Sequence, residues 1–138
     1  MVKSIKLGTE SSKDIYLSMI GSRIISIFCN GRLKYNDGTV RWDCIVFELE
    51  NLCVSFTVDS DSDELLVEQV DCGFDKSEYE KLSGFNFKGH DEIDWIWEAK
   101  NNFGFFDSLI FSTNNGVPKF GITSIGSQII FFETRFVS

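Results

Sequence analysis

The stretch that most constrains the fold is residues 41–70, RWDCIVFELENLCVSFTVDSDSDELLVEQV. Between residues 42 and 50, Ile45, Phe47 and Leu49 fall on one side while Cys44, Val46, Glu48 and Glu50 fall on the other. That period of two is what a strand with one buried face requires. Asn51 is placed for a turn, after which the alternation restarts, with Leu52, Val54, Phe56 and Val58 against Cys53, Ser55 and Thr57. β-branched and aromatic residues dominate and proline is absent, so the two runs read as a β-hairpin. Asp59, Asp61, Asp63 and Glu64, spaced by serines, cannot continue a buried strand and belong in water or against a cation. Residues 65–70 then resume as strand.

The same pattern recurs along the chain. Residues 23–30 alternate Ile25, Ile27 and Cys29 with Ile24, Ser26 and Phe28, as in a strand covered on both faces. Residues 93–99 place Ile93, Trp95 and Trp97 on one face and Asp94, Ile96 and Glu98 on the other, and residues 105–113, 119–123 and 127–135 are further β-rich runs. Turn signals separate them at Asn30-Gly31, Asn36-Asp37-Gly38, Asn101 to Gly104 and Asn114-Asn115-Gly116. Pro118 stands just before a strand, where its missing N–H matters least. Ser11 and Ser12 can cap a short helix over 13–20 closed by Gly21, and a second helix fits 76–82 before Ser83-Gly84. Residues 42–47 and 106–111 echo each other, sharing the Asp (Asp43, Asp107) and the final Phe (Phe47, Phe111). A second echo, residues 20–25 against 125–130, falls in a different register. The expected fold is α+β, a predominantly antiparallel β-sheet protein of two meander-like halves with one or two short helices. At 138 residues the chain suits one domain, residues 1–138, burying about 68% of its unfolded surface.

Charge narrows the choice of partner. The chain carries a formal charge of −8, and its acids crowd between Asp59 and Glu98, where the only bases are Lys76, Lys81 and Lys88. Such a segment repels nucleic acid and anionic membrane and steers a basic protein towards itself. No run of about 18 apolar residues is present to span a bilayer, and the N-terminal residues lack a secretory apolar core, so a cytoplasmic protein is expected. Cys29, Cys44, Cys53 and Cys72 form no CxxC pair and mostly sit inside apolar strand patterns. Free buried thiols in a reducing compartment are the expectation.

Catalytic and metal motifs fail on inspection. Asp59, Asp61 and Asp63 have the spacing that opens a calcium loop, but Glu64 stands where that loop needs Gly and Val70 where it needs a bidentate Glu. His90, the single histidine, has no nucleophile motif beside it. Asp43 and Asp107 could pair as carboxylates only if the fold brought them together. Trp95, Trp97, Phe103, Phe105 and Phe106 could stack on bases, but their charged neighbours are Asp94, Glu98 and Asp107 where base-binding surfaces carry Lys and Arg. No enzyme activity, cofactor or metal is expected.

The size, acidity, Phe- and Trp-rich strands and missing catalytic motifs resemble the immunity proteins of bacterial polymorphic-toxin and contact-dependent growth inhibition systems. The segments IGSRIISIFCN, WDCIVFELENLCVSFTVDSDSDEL and WIWEAKNNFGFFDSLIF are similar to small bacterial domains that occur near such toxins. The resemblance implies a cytoplasmic inhibitor that binds its cognate toxin domain and blocks the active site or a substrate surface. The charge adds a mechanism, since nuclease toxins carry basic clefts that carboxylates can occupy in place of phosphates. The expected interface takes Asp59, Asp61, Asp63, Glu64, Glu68, Asp91, Glu92 and Asp94 as its rim and Trp95 or Trp97 as its apolar anchor. The alternative is a small sensory or regulatory domain whose aromatic residues line a ligand pocket.

Overall fold

The computed structural model describes residues 5–6, 10–82, 91–100, 106–114 and 116–134. The elements in chain order are β1 (Ile5–Lys6), α1 (Glu10–Leu17), β2 (Ile24–Asn30), β3 (Leu33–Lys34), β4 (Val40–Arg41), β5 (Cys44–Leu49) and β6 (Cys53–Val58). They continue with β7 (Leu65–Val70), a 3-10 turn (Lys76–Glu78), β8 (Glu80–Lys81), β9 (Ile93–Lys100), β10 (Phe106–Thr113), β11 (Pro118–Ile125) and β12 (Gln128–Glu133). Every pairing is antiparallel. The first sheet has the order β1-β7-β6-β5-β2-β8, the second is the meander β12-β11-β10-β9, and β3 with β4 forms a separate hairpin. The fold is therefore mostly antiparallel sheet, with one short helix among the described residues; the second sheet is a meander, whereas in the first only β5, β6 and β7 follow one another and β1, β2 and β8 join through crossovers.

The alternation also predicts the core. Ile45, Phe47 and Leu49 of β5 and Val54 and Phe56 of β6 are buried, and they face Leu109 and Phe111 of β10 and Phe120 and Ile122 of β11. Four phenylalanine rings meet between the sheets: Phe47 lies 5.1 Å from Phe111 and 5.9 Å from Phe120, Phe111 stacks on Phe120 at 5.0 Å, and Phe56 stands edge-on to Phe47 at 5.5 Å. Truncating a ring so placed costs about 3–5 kcal/mol, from lost transfer energy plus the cavity left behind. The echoed segments 42–47 and 106–111 thus deliver their shared Phe to one junction. Their shared acids part company: Asp43 accepts from Gln128 Nε2 at 3.2 Å, while Asp107 accepts from the Ser108 hydroxyl.

Two backbone stitches join the sheets. Trp42 and Ile129 exchange reciprocal N–H···O bonds of 2.8 Å, tying the start of β12 to the start of β5. Ile93 N–H donates to Ser22 O at 3.0 Å and its carbonyl accepts from Gly21 N–H at 2.7 Å, tying the start of β9 to the chain entering β2. Gly21 has φ +87°, a conformation that favours glycine.

Four expectations need correcting. Helix α1 runs over Glu10–Leu17, three residues earlier than the spacing suggests, so Ser11 and Ser12 lie within it and residues 18–21 form turns. The helix expected over 76–82 is a single 3-10 turn capped by Asp75, whose carboxylate accepts from Ser77 N–H. The chain then turns extended because Glu80 and Lys81 pair with Cys29 and Phe28 on the open edge of β2, a gain that helical propensity over so few residues cannot match. Cys53 and Cys72 are joined in a disulfide, with Cα atoms 5.3 Å apart. Cys53 opposes Val70 in the β6–β7 pairing, and a turn in which Asp71 accepts from Gly73 N–H brings Cys72 back beside it, a proximity invisible in the spacing. Finally, Ile93 does not share a face with Trp95 and Trp97. Thr113 opposes Ile93 and Ser112 opposes Trp95, so Asp94 is an extra residue in a β-bulge that reverses the parity.

Candidate protein-binding surface

The acidic segment is continuous in sequence but divided in space. Asp59 to Glu64 form the β6–β7 loop, which lies against the β11–β12 turn: Asp63 Oδ1 accepts from Ser127 N–H at 3.0 Å and Ser127 Oγ at 3.2 Å, and the Asp63 carbonyl accepts from the Ser124 hydroxyl. Asp91 and Asp94 lie at the other end of β11, around Lys119 and the β10–β11 turn. Seven strand steps separate Pro118 from Ile125, roughly 23 Å at about 3.3 Å per residue. The proposed rim is thus two clusters.

Two carboxylates in each cluster serve the fold, Asp59 and Asp63 in the first and Asp91 and Asp94 in the second. Asp59 Oδ1 accepts from Asp61 N–H at 2.8 Å, holding the loop closed, and Asp63 keeps a left-handed φ of +58° beneath its bonds to Ser127. Asp91 is fully buried, accepting from Asn114 Nδ2 at 2.9 Å and from Lys119 Nζ at 3.3 Å. Asn114 also bonds the Glu92 backbone at both ends, donating its N–H to the carbonyl and accepting the N–H on Oδ1. Asp94 accepts from the Ser112 hydroxyl and from Gly116 N–H at 2.6 Å. Lys119 reaches Asp91 because it is itself an extra residue: Phe120 opposes Phe111 and Pro118 opposes Ser112, leaving Lys119 unopposed. Two bulges, one on β9 and one on β11, thus aim the charged groups of this cluster. The Asn114–Gly116 turn was legible in the sequence, but its clamp on residues 91–92 was not.

Glu64 and Glu68 are half-buried, Glu68 opposite Ser55 on β7, while Asp61 and the Glu92 side chain are exposed. Trp95 and Trp97 stand out, at 48% and 36% exposure. Both point away from the core, on the outer face of the second sheet. Ile110 opposes Trp97, Gly121 opposes Ile110, and Phe132 opposes Gly121, so an apolar row crosses all four strands. Gly121 is what lets the row lie flat, because a Cβ there would sit 2.5 Å from Cζ of the Phe132 ring. Flanking it, the Ser108 and Thr123 hydroxyls bond each other at 2.7 Å.

The family model matches residues 10–137 and so takes in both sheets. The chain belongs to DUF6334, a family of unknown function. No curated protein and no solved structure matches it. In this DUF6334 member, no three His, Cys, Asp or Glu side chains among the described residues gather as a metal site, and no helix is long and apolar enough to cross a membrane. His90, Phe103 and Phe105 lie outside the described residues. Phe47, Phe56, Phe111 and Phe120 pack against one another between the sheets.

Proposed function

We propose that this chain is an immunity-type inhibitor, which binds a basic toxin domain through the outer face of its second sheet and blocks that domain's active site or substrate surface. The observation that carries this is the exposed pair Trp95 and Trp97 on the outer face of β9, continuous with Ile110 and Phe132. Large rigid rings on a strand form contact area at small cost in conformational entropy, and tryptophan is the residue type most enriched among those that dominate binding energy. The net charge of −8 favours a cationic partner such as a nuclease with a phosphate-binding cleft. The resemblance of the strand segments to domains found near bacterial toxins supplies the class of partner. A cytoplasmic site of action fits that class, though the Cys53–Cys72 disulfide fits an oxidising compartment better.

The test takes the reading frame beside this gene: the C-terminal domain of its product, expressed alone, should kill cells, and it is then co-expressed with this chain, read as cell survival, and titrated with it by calorimetry. The wild-type chain should restore growth, and Trp95→Ala and Trp97→Ala should each weaken binding by roughly 30-fold or more, as interface anchors do. Survival no better than with an empty vector would overturn the inhibitor reading. Unchanged affinity in both variants would overturn the assignment of this face.

A further inference from the structure

Deepening that reading, and resting on it for the role of the face, we propose that Trp95 and Trp97 together form a slot for the guanidinium group of an arginine on the partner. Beyond the bulge at Asp94 the strand is regular, with Ser112, Phe111 and Ile110 opposing residues 95, 96 and 97 in unbroken register. Side chains two residues apart on one face of such a strand are about 6.7 Å apart. Two stacked layers of planar atoms need about 3.5 Å each, so two indoles standing side by side at that strand spacing would hold one flat group on both faces. Ile110, beside Trp97, and Ser112, beside Trp95, form the side of the slot towards β10. Among the described residues no other ring stacks on either indole.

Charge selects a cation for this slot. Glu92 is exposed one residue before β9, and the chain as a whole carries −8. A second copy of this chain would bring the same charge and is disfavoured as occupant. Guanidinium is preferred over ammonium because it is planar, weakly hydrated and able to stack on both faces at once, whereas an ammonium is a compact, strongly hydrated point charge.

The experiment is an NMR titration of the full chain with an end-capped glycine–arginine–glycine peptide and its lysine counterpart, following the three indole N–H signals. The buried Trp42 is an internal reference. With the arginine peptide, the signals of Trp95 and Trp97 should move together and that of Trp42 should stay. The arginine peptide should bind about two- to fivefold tighter than the lysine peptide. Trp95→Leu or Trp97→Leu should abolish the preference, and Trp97→Phe should keep part of it. Equal binding of the two peptides, movement of Trp42 with the others, or no shift of either exposed indole would overturn the slot. Because no toxin enters this assay, an arginine preference without protection of cells would sink the inhibitor reading alone. Protection without the preference would sink the slot alone.

Discussion

Replacing Asp91 with alanine separates a carboxylate that builds the fold from one that meets a partner. Its side chain is buried and accepts from Asn114 Nδ2 at 2.9 Å and from Lys119 Nζ at 3.3 Å. Hydrogen bonds to a charged group contribute about 1.5–3 kcal/mol each. Lys119 keeps 36% of its side chain exposed and can turn to water, so the full penalty of a stranded buried charge does not apply. The net cost should be about 3 kcal/mol. An unfolding entropy of about 2.1 cal/mol/K per residue makes 1 kcal/mol worth roughly 3–4 °C in a chain of this length. Thermal unfolding followed by circular dichroism should therefore show Asp91→Ala melting about 10 °C below wild type. Asp91→Asn keeps an acceptor for Asn114 and should lose about half as much. A cycle pairing Asp91→Asn with Lys119→Met should return a coupling of about 1–2 kcal/mol. An alanine variant that melts within 2 °C of wild type and only loses affinity for a partner would refute the reasoning and return Asp91 to the interface.

Asp63→Ala should cost about 2 kcal/mol, from the lost bonds to Ser127 and the left-handed backbone, while Asp63→Asn, which tolerates both, should cost under about 1 kcal/mol by urea denaturation. Gly121→Ala should destabilise by about 1–3 kcal/mol, since the new Cβ meets the Leu109 carbonyl oxygen at 2.7 Å as well as the Phe132 ring. Alkylation under denaturing conditions without reductant should label Cys29 and Cys44 and spare Cys53 and Cys72; Cys53→Ser should lower stability by about 3 kcal/mol for a loop of separation 19, and four labelled thiols would refute the bridge. Burial, reinforced by Cys44 and Glu80, pushes the Cys29 thiol up to about 12. A folded value above the unfolded one means that this contribution is whole below pH about 9 and fades as pH rises towards 12. The urea midpoint should therefore fall more steeply above pH 9 in wild type than in Cys29→Ala.

The hairpin at the centre of the sequence was legible because alternation marks strands, and Ile45, Phe47, Val54 and Phe56 are buried as expected; Val46, Cys53 and Ser55 on the opposite face are buried as well, which a pattern with one buried side does not predict. The rule failed where one residue was added. Asp94 breaks the period on β9, turning Ile93 inward and both tryptophans outward, and nothing in the alternation of residues 93–99 marks the break. The short helix over 76–82 failed for a related reason: Glu80 and Lys81 follow the open edge of β2 and not their own propensity. The acids of the candidate site were found by composition, but composition cannot tell a carboxylate in water from one that holds Ser127 or Lys119 in place.

What the sequence determined by itself is what local chemistry and pattern carry: strands from alternation, turns from Asn and Gly, a single core from the apolar content, and a net charge of −8. The tertiary structure decided everything that depends on which distant residues meet. It joined Cys53 to Cys72, sent Asp63 and Asp91 to opposite ends of β11, and laid Trp97, Ile110 and Phe132 in one row across the second sheet. Register and bulges set those meetings, and they arise from hydrogen bonding between strands far apart in the chain, which no window along the sequence contains.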